Sequence, residues 1–247
     1  EDLATDLTVT RIEAQIREFG GSHGLYWDGH LYGAPVDVVE VLTANALTVV
    51  LGNPGAGKTT LAKHLALQRM AQQLPAAYVR LDDLGTRLEG GASTYALDVG
   101  LAAVAAAMSH AIRAPVDPSL LAFEPGHASP WIILDGLDEV ASASGRDEVH
   151  HLAGLLTENG YTVVVTSRIS GYTAPWAEAV HLAVLPLSEP ASARFGDRWF
   201  TLTGNDVARR RHASAAANPN IASVLTNPLT LGFVCFVASH DDIPTTE

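Results

Sequence analysis

The segment Gly52-Asn53-Pro54-Gly55-Ala56-Gly57-Lys58-Thr59-Thr60 follows directly on the apolar run Leu47-Thr48-Val49-Val50-Leu51. It fits the pattern Gly-x4-Gly-Lys-(Ser/Thr), with a buried strand predicted before it and a helix after it. That context is what gives the pattern physical meaning. Three glycines let the main chain wrap closely around an anion, because they lack a Cβ and tolerate positive φ. The loop N–H groups then converge on the anion, and the following helix adds the positive end of its dipole. Lys58 supplies a full charge for β- and γ-phosphates, and the Thr59 hydroxyl suits a Mg2+ ligand. Gly52 through Thr60 are therefore the expected cradle of a nucleoside triphosphate.

A phosphate cradle of this kind needs an acid beside it. The apolar run Trp131-Ile132-Ile133-Leu134 leads into Asp135-Gly136-Leu137-Asp138-Glu139. A carboxylate at the end of a buried strand meets the preference of Mg2+ for oxygen ligands, so Asp135 is the expected metal residue, acting through a water. Asp138 and Glu139 lie one turn further on, where either can orient or deprotonate an attacking water. The competing reading is that these acids only begin a helix and favour its dipole. A third run, Thr162-Val163-Val164-Val165-Thr166, ends in Ser167-Arg168. An arginine at the carboxyl edge of a parallel sheet can reach a γ-phosphate and so tell triphosphate from diphosphate.

Between these motifs, strands and helices alternate. Strands are expected at 47–51, 77–81, 131–134 and 162–167, and helices at about 58–73, 94–113 and 146–158. Continuous apolar strands alternating with helices mean a parallel sheet covered on both faces. Before them, Leu7 to Phe19 reads as a helix, Gly20 to Gly33 as loop, and Pro35 opens a short helix, Val36 to Leu42. After Pro186 the pattern turns wholly helical, at about 189–202, 205–216, 219–226 and 228–239, starting with the cap Ser188-Glu189-Pro190. A domain boundary is expected near residue 187.

Composition narrows the function. A formal charge of −12 argues against a broad nucleic-acid footprint, which needs clustered Lys and Arg. The basic run Arg209-Arg210-Arg211 reads as a solvated helix face. The single cysteine, Cys235, has no internal partner and fits a reducing compartment, here the cytoplasm. The ten histidines show no metal spacing; adjacent His150 and His151 point about 100° apart on a helix. The apolar segment 221–238 is interrupted by Asn227-Pro228 and reads as buried helices rather than a membrane span. The chain begins at Glu1 without a methionine, as an excised piece of a longer protein would.

Taken in order, Gly-Asn-Pro-Gly-Ala-Gly-Lys-Thr-Thr, Ile-Ile-Leu-Asp-Gly-Leu-Asp-Glu, Val-Val-Val-Thr-Ser-Arg, Leu-Pro-Leu-Ser and Asn-Pro-Leu-Thr-Leu resemble the NACHT domain. That domain is the nucleotide switch of one branch of the STAND class of P-loop NTPases, which includes NOD-like receptors and bacterial defence proteins. Gly136 behind the metal aspartate, with two acids following, is a mark of this family. The resemblance covers about residues 36–240. It implies an α/β fold, a three-layer αβα P-loop sheet over residues 1–187 with 1–34 as lead-in, and a small all-α domain over 188–240. It also places the Arg168 strand between the loop strand and the Asp135 strand. Residues 241–247 resemble the start of a linker to a winged-helix domain, and that domain and the flanking sensor and effector domains lie outside this sequence. By the same resemblance Pro228 contacts the nucleotide near its base, the ligands are ATP or ADP with Mg2+, and the full-length parent self-associates on activation.

The expected activity is that of an ATP/ADP switch with slow Mg2+-dependent hydrolysis. Lys58, Asp138, Glu139 and Arg168 would be its catalytic groups, and Thr59 and Asp135 its metal-binding groups. Two other readings compete. One is a nucleotide-bound assembly module that hydrolyses nothing significant. The other is a P-loop phosphotransferase, which would need an acceptor pocket and an arginine-rich lid, and no such segment stands out.

Overall fold

The computed structural model describes residues 9–11, 16–19, 22–25, 35–82, 84, 96–123, 126–173, 176 and 178–240. These divide into two units: Val9–Asn53 with Lys58–Ala183, and Pro54–Gly57 with the described residues from Val184 onward. The strands are β1 (Val9–Arg11), β2 (Ile16–Phe19), β3 (Ser22–Leu25), β4 (Pro35–Val36), β5 (Leu47–Leu51), β6 (Ala76–Arg80), β7 (Trp131–Asp135), β8 (Thr162–Ser167) and β9 (Val180–Val184). The helices of the first unit are α1 (Val38–Ala44), α2 (Lys58–Ala71), α3 (Leu97–Ile112) and α4 (Ala143–Glu158).

Seven strands form one sheet in the order β4-β1-β9-β5-β8-β7-β6. From β9 to β6 neighbouring strands are parallel. Every residue of β7 and β8 is buried, as expected for strands covered on both faces. Alternation along these strands divides their side chains between the faces. Val49, Leu51, Ile132, Leu134, Val163 and Val165 share a core with Leu101 and Val104 of α3 and Val149 and Leu152 of α4. The alternate residues Val50, Ile133 and Val164 are equally buried, and α1 and α2 pack on these strands.

The register is what prepares a site. Leu51 pairs with Ser167, Leu134 with Val165, and Arg80 with Asp135, so four strands end on one edge. The Arg168 strand, β8, lies between the loop strand β5 and the Asp135 strand β7.

The amino-terminal expectations need correction. The described parts of Leu7–Phe19 are strands, not helix. Ile16–Phe19 pairs antiparallel with Ser22–Leu25, with Phe19 opposite Ser22. The dipeptide Gly20-Gly21 between the paired ends is a hairpin signal, and glycine also disfavours helix. Residues 26–34, expected as loop, lie outside the described residues, as do 1–8 and 241–247. The helix expected from Val36 starts at Val38, because Asp37 caps it by accepting from the Val39 and Glu40 amides. Helix α4 starts three residues earlier than expected, capped by Ser142. Strand β9 was not anticipated at all.

In the second unit, α5 (Glu189–Thr203), α6 (Asp206–Ala216), α7 (Pro219–Val224) and α8 (Pro228–His240) follow one another. Side-chain caps start all four: Ser188 for α5, Asn205 for α6, Asn218 for α7 and Asn227 for α8. Leu187, Phe200, Ala208, Leu225, Leu231 and Cys235 make their core. Burial pushes the Cys235 thiol up to about 12. Among the described residues, no helix is long and apolar enough to cross a membrane.

Candidate nucleotide site

The phosphate loop leaves β5 at Gly52, whose N–H donates to the Ser167 carbonyl at 3.3 Å and ties the loop's entry to β8. Lys58 opens α2 and folds its ammonium back, donating to the carbonyls of Gly52 at 2.9 Å and Asn53 at 3.2 Å. That posture keeps the charge over the start of the loop, and among the described residues no acid bonds directly to it. Burial lowers the Lys58 pKa below the usual lysine range; Asp138 opposes that shift and Arg168 adds to it. Asp135 and Glu139 also act on Lys58, so four charged groups from the edge of the sheet share its field. Thr59 and Thr60 are exposed on the first turn of α2.

Asp135 ends β7 and is only 5% exposed. Its Oδ1 accepts from the Thr166 hydroxyl at 2.5 Å and its Oδ2 from the Tyr78 hydroxyl at 2.8 Å. Thr166 Oγ1 in turn accepts from the Gly136 N–H at 2.9 Å. The aspartate is thus locked between neighbouring strands β6 and β8. Each carboxylate oxygen keeps a further lone pair, so Asp135 can still take a metal-bound water. Among the described residues no group of three His, Cys, Asp or Glu could hold a metal. A buried carboxylate with lone pairs to spare is a donor that fits Mg2+, which keeps several waters and binds through one or two carboxylates plus phosphate oxygens.

The two downstream acids part company. Asp138 accepts from both the Arg168 backbone N–H at 2.9 Å and its Nε at 2.8 Å, gripping the arginine at the tip of β8. Glu139 faces Arg80 Nη2 at 3.4 Å, and Arg80 is held more closely by Asp82 at 2.6 Å. Gly136, at φ +90°, makes this turn possible: a Cβ there would sit 3.2 Å from Glu139 Cδ. Tyr78, Arg80 and Thr166 were not singled out in the sequence. Their signal was weak: Tyr78 and Arg80 occupy the less buried positions of β6, alternating with buried Ala77 and Val79.

In the second unit the loop tip meets the Asn-Pro-Leu segment. Asn227 Nδ2 donates to the Pro54 carbonyl at 3.0 Å, while its Oδ1 accepts from the Leu229 and Thr230 amides and caps α8. The Leu229 N–H donates to the Gly55 carbonyl at 3.3 Å. Gly55, at φ +74°, cannot carry a side chain here, since a Cβ would come within 2.6 Å of Leu229 Cβ. Pro228 is the first residue of α8. The polar contacts with the loop tip come from its two neighbours, Asn227 and Leu229.

A model of the NACHT domain matches residues 46–203, more than half of the chain, from the residue before β5 to the last of α5. The chain belongs to the NACHT family. NACHT domains are P-loop NTPase domains of the STAND class, and the sheet and loop described above are the corresponding parts of this one. No curated protein matches the sequence. Among solved structures, a DNA replication initiation factor is similar at 12% identity and TM-score 0.51, covering 81% of this chain and 57% of its own. DnaA from Aquifex aeolicus bound to AMPPCP is similar at 12% identity and TM-score 0.48, covering 80% and 56%. Domain III of the Thermotoga maritima replication initiation protein DnaA gives 12% and 0.48, covering 83% and 90%. The chain spans a little over half the length of the first two, and the first likeness speaks to the fold alone.

Proposed function

We propose that this NACHT module is an ATP/ADP switch with slow Mg2+-dependent hydrolysis, working inside a larger protein whose assembly it controls. One observation carries the reading. The half-buried ammonium of Lys58 folds back onto the Gly52 and Asn53 carbonyls, and the charges of Asp135, Asp138, Glu139 and Arg168 at one sheet edge act on it together. Family membership favours adenine as the base. The loop from Gly52 to Thr60 would cradle the phosphates, with Lys58 on the β- and γ-oxygens. Thr59 and Asp135 would hold Mg2+, which when bound neutralises charge developing on the transferred phosphoryl group. Glu139 would orient the attacking water, because both oxygens of Asp138 are engaged with Arg168. Asp138 then acts by aiming Arg168 at the γ-phosphate, the contact that separates ATP from ADP. Pro228 is proposed as the base-side contact, and its placement next to Asn227 would couple α8 to the loop tip.

Control of assembly, a role in defence and a cytoplasmic setting are further parts of the proposal. They rest on family membership and, for the last, on a lone buried cysteine. A second reading, nucleotide held without turnover, is favoured by one feature: Glu139 itself is paired with Arg80. Phosphate release by the wild type and by Glu139→Gln, with ATP affinity measured in both, separates the two. Turnover in the wild type that is lost in the variant at unchanged affinity supports the switch. Equal near-zero release in both refutes hydrolysis and leaves the binding module.

A further inference from the structure

Tyr78 stands on the outermost strand of the sheet, yet its hydroxyl is turned inward to the acid at the centre of the site. The strand geometry explains how. Register places Arg80 opposite Asp135 and Tyr78 opposite Ile133, so the long phenol reaches along the edge to a carboxylate two positions ahead. Its ring lies beneath α2, with Lys63 Nζ 5.7 Å from the ring centroid. Lys63 is one helical turn beyond Thr59, the other expected metal ligand, so Tyr78 is packed under the same helix that carries it. The phenol hydroxyl donates to Asp135 Oδ2 at 2.8 Å, leaving Oδ1 to the Thr166 hydroxyl on the other side.

We propose that Tyr78 is a positioning residue for the metal site: with Thr166 it clamps both oxygens of Asp135, so that the carboxylate meets Mg2+ through water in a single orientation. The inference rests on the nucleotide-switch reading but adds a residue to it. A free carboxylate can rotate about its χ2 bond and present either one or two oxygens. One held by a hydroxyl on each side has its remaining lone pairs fixed in direction. Outer-shell partners of this kind are worth about 10–100-fold in metal affinity when removed.

The test is nucleotide binding, not turnover. ADP and ATP affinities of the wild type and Tyr78→Phe are titrated across Mg2+ concentrations and in EDTA, with thermal unfolding as a control on folding. The expected result is an unchanged affinity in EDTA and about a tenfold rise in the Mg2+ concentration that gives half of the metal-dependent gain. In an Asp135→Asn background the same substitution should change nothing further. A wild type whose affinity depends on Mg2+, with Tyr78→Phe superimposing on it, overturns the clamp and leaves the switch reading intact. A wild type whose nucleotide affinity ignores Mg2+ overturns both. Equal losses with and without Mg2+, or a shift that persists in the Asp135→Asn background, mean that Tyr78 acts on packing and also overturn the assignment.

Discussion

Thr166→Val is the sharpest test of how the acidic centre is built, since it removes one oxygen and almost nothing else. Thr166 is 1% exposed, and valine nearly reproduces its shape. Its hydroxyl donates to a buried carboxylate and accepts from the Gly136 N–H, so the substitution breaks two hydrogen bonds at once. Losing the bond to an ionised partner costs about 1.5–3 kcal/mol, and leaving a buried N–H without an acceptor costs about 1–3 kcal/mol. Together they come to roughly 2.5–6 kcal/mol, a large part of the stability of an ordinary domain. Thr166→Ser keeps both bonds and gives up one methyl group, for about 1 kcal/mol. Urea unfolding followed by the fluorescence of Trp131 and Trp176, both buried in the same unit, measures the two variants side by side. The valine variant should unfold at clearly lower urea than the serine variant. If the two coincide, or if valine is the milder change, the hydroxyl relay does not hold Asp135 and the account of the centre is wrong.

The Asp138 grip on Arg168 predicts that Asp138→Asn lowers the preference for ATP over ADP several-fold, up to about tenfold, while Arg168→Ala abolishes it; calorimetric titration with both nucleotides reads this directly. Gly55→Ala should lose about 1–3 kcal/mol of stability through the left-handed backbone and the clash with Leu229 Cβ. Leu229→Ala should not rescue it, because alanine keeps the offending atom; chemical denaturation of single and double variants decides. Burial holds His181 and His212 below the ordinary histidine range. As pH falls past about 6.5 the unfolded chain takes up protons that the folded chain refuses, so stability should drop on the acid side and level off above neutrality. Thermal melts from pH 8 to 5.5 check the direction, and His212→Asn should flatten the slope.

Much of this molecule was readable because its chemistry and its packing demand the same residues. The runs ending in Leu51, Asp135 and Ser167 are mostly Val, Leu and Ile and almost wholly buried, since strands covered on both faces have no exposed side to show. Each brings its candidate residue to the same edge, so strand ends and candidate site residues were legible together. Strand β9 escaped because no described helix separates it from β8 and the strand–helix alternation fails there. The amino-terminal strands escaped because Ile16-Arg17-Glu18-Phe19 is too short for its period to be distinguished from a helix, and the glycine pair after it was read as loop. Partners were harder than principals. Nothing in Tyr78-Val79-Arg80 says that the hydroxyl and the guanidinium serve acids some sixty residues away; that follows only from the register of β6 on β7. Asn227 was hidden in the same way beside its more conspicuous proline.

The sequence's lone thiol offers a practical opening. Cys235 is fully enclosed, and its sulfur holds its proton up to about pH 12, so maleimide dyes at neutral pH will pass it by. Cysteines introduced at exposed positions of either unit can then be labelled in an otherwise unaltered chain. Energy transfer between two such dyes would report directly on whether exchanging one nucleotide for another changes the molecule's shape.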